Sequence, residues 1–129
     1  MQLTPLLSLY AVITAFFGLA LLGFPSQLMG VYGASLDTLA TILSRFIGGL
    51  FAGLAVMAWM ARAAEAGKAR NAMVLGLTVL NGFSAVVAVM AALSGMFNAL
   101  AWAQAGLYGL FTVLFVVAGR SSMSPRSGA

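Results

Sequence analysis

Four runs of about twenty apolar residues fill almost the whole chain, and runs of that length demand a bilayer as solvent. They extend from Pro5 to about Phe24, from Thr38 to Met60, from Ala72 to Leu93 and from Ala99 to Ala118. At about 1.5 Å of helical rise per residue, each covers roughly 30 Å, the hydrocarbon thickness of a membrane. Each is therefore expected to cross once. Composition agrees: of 129 residues, 63% are hydrophobic and 6% charged, against about 25% charged in a typical soluble domain. The opening Met1-Gln2-Leu3-Thr4 has no basic residue, so the first run reads as a retained anchor and not as a removed signal.

The connections are short, which makes consecutive helices antiparallel neighbours. The expected fold is thus all-α, an integral membrane up-down-up-down four-helix bundle over residues 1–119, followed by a Ser/Pro/Gly tail at 120–129 of disordered composition. Between the first two spans, Phe24-Pro25 opens a stretch in which Leu28, Met29, Val31 and Tyr32 suit a membrane surface. A short interfacial helix ending near Gly30 or Gly33 is expected there, with an irregular loop as the alternative.

Loop charge gives an orientation. Arg62, Lys68, Arg70, Arg120 and Arg126 share one side, and the other side has only Asp37. The positive-inside rule then places both termini and the 61–71 connection in the cytoplasm. The same asymmetry disfavours dual-topology proteins of similar length, such as small multidrug exporters and fluoride channels. Phe24, Tyr32, Phe97 and Trp102 near the outer face, and Trp59 near the inner, read as interfacial anchors.

Several chemistries have no residues to carry them. The chain has no cysteine and no histidine, which removes thiol chemistry and the usual metal and haem ligands. No metal site and no cofactor are expected. Asp37 and Glu65, the two carboxylates, fall on opposite sides of the bilayer and cannot act as a pair, so no catalytic residue is assigned and the chain is not expected to be an enzyme. A net charge of +4 forms no basic stripe with interleaved aromatics, so nucleic acid is not an expected partner.

Arg45 lies seven residues into the second span, about 10 Å below the outer edge of the hydrocarbon. A buried arginine costs from about 2.5 to over 10 kcal/mol, depending on what partners or headgroups it can reach. Asp37, Thr41, Arg45, Gly49 and Gly53 recur at four-residue steps and form one ridge. At comparable depth, Asn81, Ser84, Gln104, Tyr108 and Thr14 supply further polar groups. The expectation is a polar intramembrane cluster of Arg45, Asn81, Ser84, Gln104, Tyr108 and Asp37. Such a cluster either binds a headgroup, a quinone-like carbonyl or a solute, or simply joins helices through mutual hydrogen bonds.

Small residues mark packing faces. Gly49 and Gly53 form a GxxxG pair, Ala101, Ala105 and Gly109 repeat the spacing in the fourth span, and Thr4, Ser8, Ala11, Ala15 and Gly18 line the first. Such stripes let helix backbones approach closely, within the bundle or against another protein.

The stretch from Ser44 to Leu54, with Gly18 to Pro25 and Val31-Tyr32-Gly33, resembles a family of small bacterial four-helix membrane proteins known as a domain of unknown function. The resemblance implies the four-helix fold and singles out Arg45. It also implies a further arginine or acid in the third and fourth helices, which this chain lacks. It implies no activity.

Three function classes follow. The expected one is a non-enzymatic structural or accessory subunit acting through helix association in the bilayer, as a homo-oligomer or in a larger membrane complex. The alternatives are a small transporter or channel component, and a lipid- or quinone-binding protein using the Arg45 cluster.

Overall fold

The computed structural model describes residues 2–123, with side chains as far as Arg120. Among the described residues five helices follow one another: α1 (Leu3–Gly23), α2 (Pro25–Val31), α3 (Thr38–Ala61), α4 (Lys68–Leu93) and α5 (Leu100–Met123). Helices α1, α3, α4 and α5 are each long and apolar enough to cross a membrane. The chain has the design of a four-span, multi-pass membrane protein.

The anticipated interfacial helix is α2, begun by Pro25, whose fixed backbone angle and missing N–H suit a first helical turn. Helix α4 starts at Lys68, earlier than its apolar run, and α5 continues to Met123, beyond the expected start of the tail at residue 120. Basic residues at these ends extend a helix past the hydrocarbon as readily as apolar ones extend it within. The remainder of the expected tail, 124–129, lies outside the described residues.

Helix α1 packs along α3, and α5 along α4, while α1 meets α5 at fewer points. The sequence neighbours α3 and α4 scarcely touch, and the diagonal pairs meet only through side chains, with their backbones apart. Around the bundle the order is α3, α1, α5, α4, with the weakest seam between α3 and α4.

Packing is uneven along the axis. The buried core gathers Leu3, Leu6, Leu7, Tyr10 and Ala11 with Ala58, Ala61, Val74, Leu77, Phe111, Phe115 and Ala118. These come from the start of α1 and α4 and the second half of α3 and α5, so the dense core sits toward the Arg62 end. At its centre the Tyr10 ring stands edge-on to Phe111 and Phe115, at centroid distances of 5.0 and 5.2 Å. At this end Thr4 also donates to the Arg62 carbonyl, and the Arg62 guanidinium lies 3.7 Å from the Trp59 ring centroid.

The close helix approach uses glycines other than those the GxxxG spacing selects. A Cβ on Gly18 would stand 2.8 Å from the Ala52 nitrogen, and one on Gly48 would stand 2.8 Å from both the Gly18 oxygen and the Leu22 nitrogen. At Gly49, Gly53 and Gly109 a Cβ would meet nothing within 4 Å. Gly49 and Gly53 are therefore not α1-facing; rotation by one residue, about 100° on a helix, separates Gly48 from Gly49. Ala101 and Ala105 are buried as a packing face requires.

At the opposite end, Asn98 fastens the two halves of the chain together. Its backbone N–H donates to the Tyr32 carbonyl at 2.8 Å, and its Nδ2 donates to the Val31 carbonyl at 2.9 Å. Its Oδ1 accepts from the Leu100 N–H at 3.0 Å, which starts α5. Gly33, at φ 79°, lets the backbone turn beside this side chain.

Candidate functional site

Above the dense core, in the half of the bundle that carries α2, the helices part around a cavity of about 230 Å³. Every helix contributes: Phe17 and Leu21 from α1, Leu28 and Met29 from α2, Ser44, Ile47 and Phe51 from α3, Ala88 and Ala91 from α4, and Ala101, Gln104 and Tyr108 from α5. The wall is almost wholly apolar, and it is open on one side. Small residues on α4 and α5 leave the space, while larger ones on α1 and α3 enclose it.

Its polar groups are few and convergent. The Tyr32 hydroxyl donates to Gln104 Oε1 at 2.7 Å, joining the segment after α2 to α5. Burial pushes the Tyr32 hydroxyl above its usual range, with Tyr108 adding to the effect, so it stays a neutral donor. Tyr108 stands one turn beyond Gln104 and lies against it. Ser44 completes the set.

A second, smaller void of about 20 Å³ lies deeper, among Tyr10, Ile13, Thr14, Asn81, Leu107 and Phe111. It shares Phe17, Phe51, Gln104 and Tyr108 with the larger cavity, so those four side chains border both. Asn81 is fully buried; its Nδ2 donates to the Leu77 carbonyl, one turn back, and its Oδ1 has no partner.

The structure divides the residues that the sequence groups together. Gln104, Tyr108, Asn81 and Thr14 do converge, through the two voids. Arg45 is exposed on the other side of α3, bordering a shallow groove with Ile42, Phe46, Gly49 and Leu50, and it hydrogen-bonds none of its expected partners. Ser44, Ile47 and Phe51 occupy the cavity face of α3, which turns the next residue, Arg45, outward. Asp37 also stands apart from the cluster, as the N-cap of α3, where it accepts from the Ala40 N–H at 2.7 Å. Ser84 is half-buried on α4 and borders neither void.

Hydrogen bonding between helices by the mid-membrane polar residues is sparse. Thr14, Thr78, Thr112 and Asn81 all bond backward to the carbonyl four residues earlier on their own helices. Tyr32 is legible in the sequence as a surface aromatic but not as a cavity residue, because its partner Gln104 is 72 positions away and only the fold brings them together. Phe17, Ser44 and Phe51 carry no signal that distinguishes them from other span residues.

Among the described residues no group of three or more His, Cys, Asp or Glu is placed to hold a metal ion. What the site offers is an apolar volume, open on one side, with neutral hydrogen-bonding groups from the segment after α2, from α3 and from α5. The chain belongs to the family described as a domain of unknown function, DUF8292, which matches residues 1–119. No curated protein and no solved structure matches it.

Proposed function

We propose that the protein is a non-enzymatic, multi-pass integral membrane protein that holds a lipid-like or quinone-like amphiphile in the cavity between its helices. The observation that carries this reading is the preformed apolar cavity of about 230 Å³ with its Tyr32, Gln104 and Tyr108 wall. A cavity of roughly 150 Å³ is enough for a benzene ring, so this one suits a ring or the polar end of a chain. The loose seam between α3 and α4 provides a lateral route by which the rest of the molecule reaches the bilayer. No residue of the cavity wall is charged, and the two carboxylates, Asp37 and Glu65, flank opposite ends of α3, so binding without turnover is the function proposed. The setting proposed is a bacterial inner membrane, from the family resemblance of the sequence, with both termini cytoplasmic, from the loop charges.

The test is mass spectrometry of the protein purified in a mild detergent, beside an Ala88→Phe variant that fills the cavity. An apolar molecule retained by the wild type and lost from an equally stable variant is the expected result. Equal retention by both, or none by either, overturns the reading.

A second reading, association with another membrane protein, is favoured by a specific observation. Gly49 and Gly53 face outward with nothing against them, beside the exposed Arg45. A partner helix could approach closely there. Pull-down from native membranes with wild type and Gly53→Ile tests it: a partner present only with the wild type supports association.

A further inference from the structure

Among the described residues, Asn81 is the polar side chain at the middle of the bundle that is fully buried, and half of its amide is unsatisfied. The orientation of that amide is fixed by chemistry: only its nitrogen can donate to the Leu77 carbonyl, so the oxygen is the end left over. The Tyr10 hydroxyl lies within side-chain hydrogen-bonding reach of Asn81 and Thr14, but Asn81 Oδ1 itself has no partner. A buried acceptor without a donor costs about 1 to 3 kcal/mol, which is a reason to ask what donor the fold provides for. The void that Asn81 borders, about 20 Å³, is the size of a single water or one hydroxyl. It is continuous in its lining with the larger cavity through Phe17, Phe51, Gln104 and Tyr108.

We infer that the cavity selects a neutral amphiphile ending in a hydroxyl, with that hydroxyl reaching past the shared side chains Gln104 and Tyr108 to donate its hydrogen to Asn81 Oδ1. This rests on the amphiphile-binding reading and specifies its ligand. Charge complementarity supports it by elimination. The two linings hold tyrosines, Gln104, Ser44, Thr14 and Asn81 but no lysine or arginine, and Arg45 borders the separate groove on the outer face of α3. A carboxylate or phosphate drawn to this depth would lose its hydration with no counter-charge to replace it. A hydroxyl loses little, because it can both donate to Asn81 and accept from the Gln104 amide or a tyrosine. The ligand class is then a long-chain alcohol, a phenol or a quinol, with its apolar part filling the larger cavity. A molecule of similar shape without a donor leaves Asn81 Oδ1 as it is.

The experiment uses the full chain in nanodiscs and three probes of equal length, each with a photoreactive diazirine in its chain: a long-chain alcohol, its methyl ether and the corresponding fatty acid at a pH where it is ionised. Crosslinked peptides are mapped, and affinities are compared by competition with unlabelled molecules. The alcohol is expected to label cavity residues from α3 and α5 and to bind roughly three- to tenfold more tightly than the ether, the fold-change of one hydrogen bond. The fatty acid is expected to be weakest. Asn81→Leu, similar in size and without the acceptor, is expected to remove the preference of alcohol over ether. The wild-type comparison stands even if that variant does not fold. Equal binding of alcohol and ether in the wild type overturns the assignment of Asn81. Tighter binding of the fatty acid overturns neutrality. If none of the three labels the cavity, it is the amphiphile reading itself that fails.

Discussion

Gly48 and Gly49 are adjacent, chemically identical and structurally opposite. Gly48 lies against the backbone of α1 at Gly18 and Leu22, and Gly49 faces open space. In a lipid-solvated helix both faces are apolar, so hydropathy gives no signal for which glycine turns inward, and the GxxxG spacing alone does not say whether its pair packs inside the bundle or faces away from it. The difference is measurable. Gly48→Val places carbon against backbone that has no rotamer to move, and is expected to destabilise the purified protein by at least about 1 to 3 kcal/mol in a detergent melt. Gly53→Ile is expected to leave that melt unchanged within error, even where it disrupts an external contact. Similar losses from both variants would place Gly53 inside the bundle. Arg45 teaches the same lesson from the polar side. The large cost of a charge in hydrocarbon suggests an inward, paired arginine. However, a long side chain about 10 Å from the surface can also run outward to headgroups. The structure turns Arg45 away from the bundle, where that route is open to it, and gives the inner face to Ser44.

At the level of elements, the four spans and α2 are readable from the sequence because their causes are local: apolar length, a proline at the first turn, and short loops between. The pairing of those elements is not readable, because it depends on side chains far apart in sequence. Asn98 is the clearest instance. As part of Ser94-Gly95-Met96-Phe97-Asn98 it looks like an ordinary turn residue, yet it bonds Val31 and Tyr32 and starts α5. It thus fixes the lid of the cavity, since Tyr32 is carried by the segment that Asn98 holds. Asn98→Ala is expected to cost about 1 to 2 kcal/mol in the same melt, the loss of two side-chain hydrogen bonds near the surface. It should also weaken amphiphile binding by freeing Tyr32, whereas Asp37→Ala, which removes only the α3 cap, should lower stability without changing binding. If Asn98→Ala and Asp37→Ala change binding alike, the lid is not held by Asn98.

For the whole molecule, an uneven bundle and an uneven charge distribution coincide. The dense core, including the Tyr10, Phe111 and Phe115 cluster, lies toward the end that carries Arg62, Lys68, Arg70 and Arg120. The cavity, α2 and Asn98 lie toward the end whose connections contain no basic residue. If the basic end is cytoplasmic, as the loop charges predict, then the packed half anchors the protein in the inner leaflet and the cavity opens at the depth of the outer leaflet. An amphiphile would then enter from that leaflet. Single cysteines replacing Met96 and Ala66, both exposed and at opposite ends, can decide this, since the natural chain has no cysteine to interfere. In intact cells, a membrane-impermeant maleimide should label Met96→Cys and spare Ala66→Cys until the membrane is opened. The opposite pattern would invert the protein and place the cavity in the inner leaflet, and labelling of both would show that the chain inserts in two orientations.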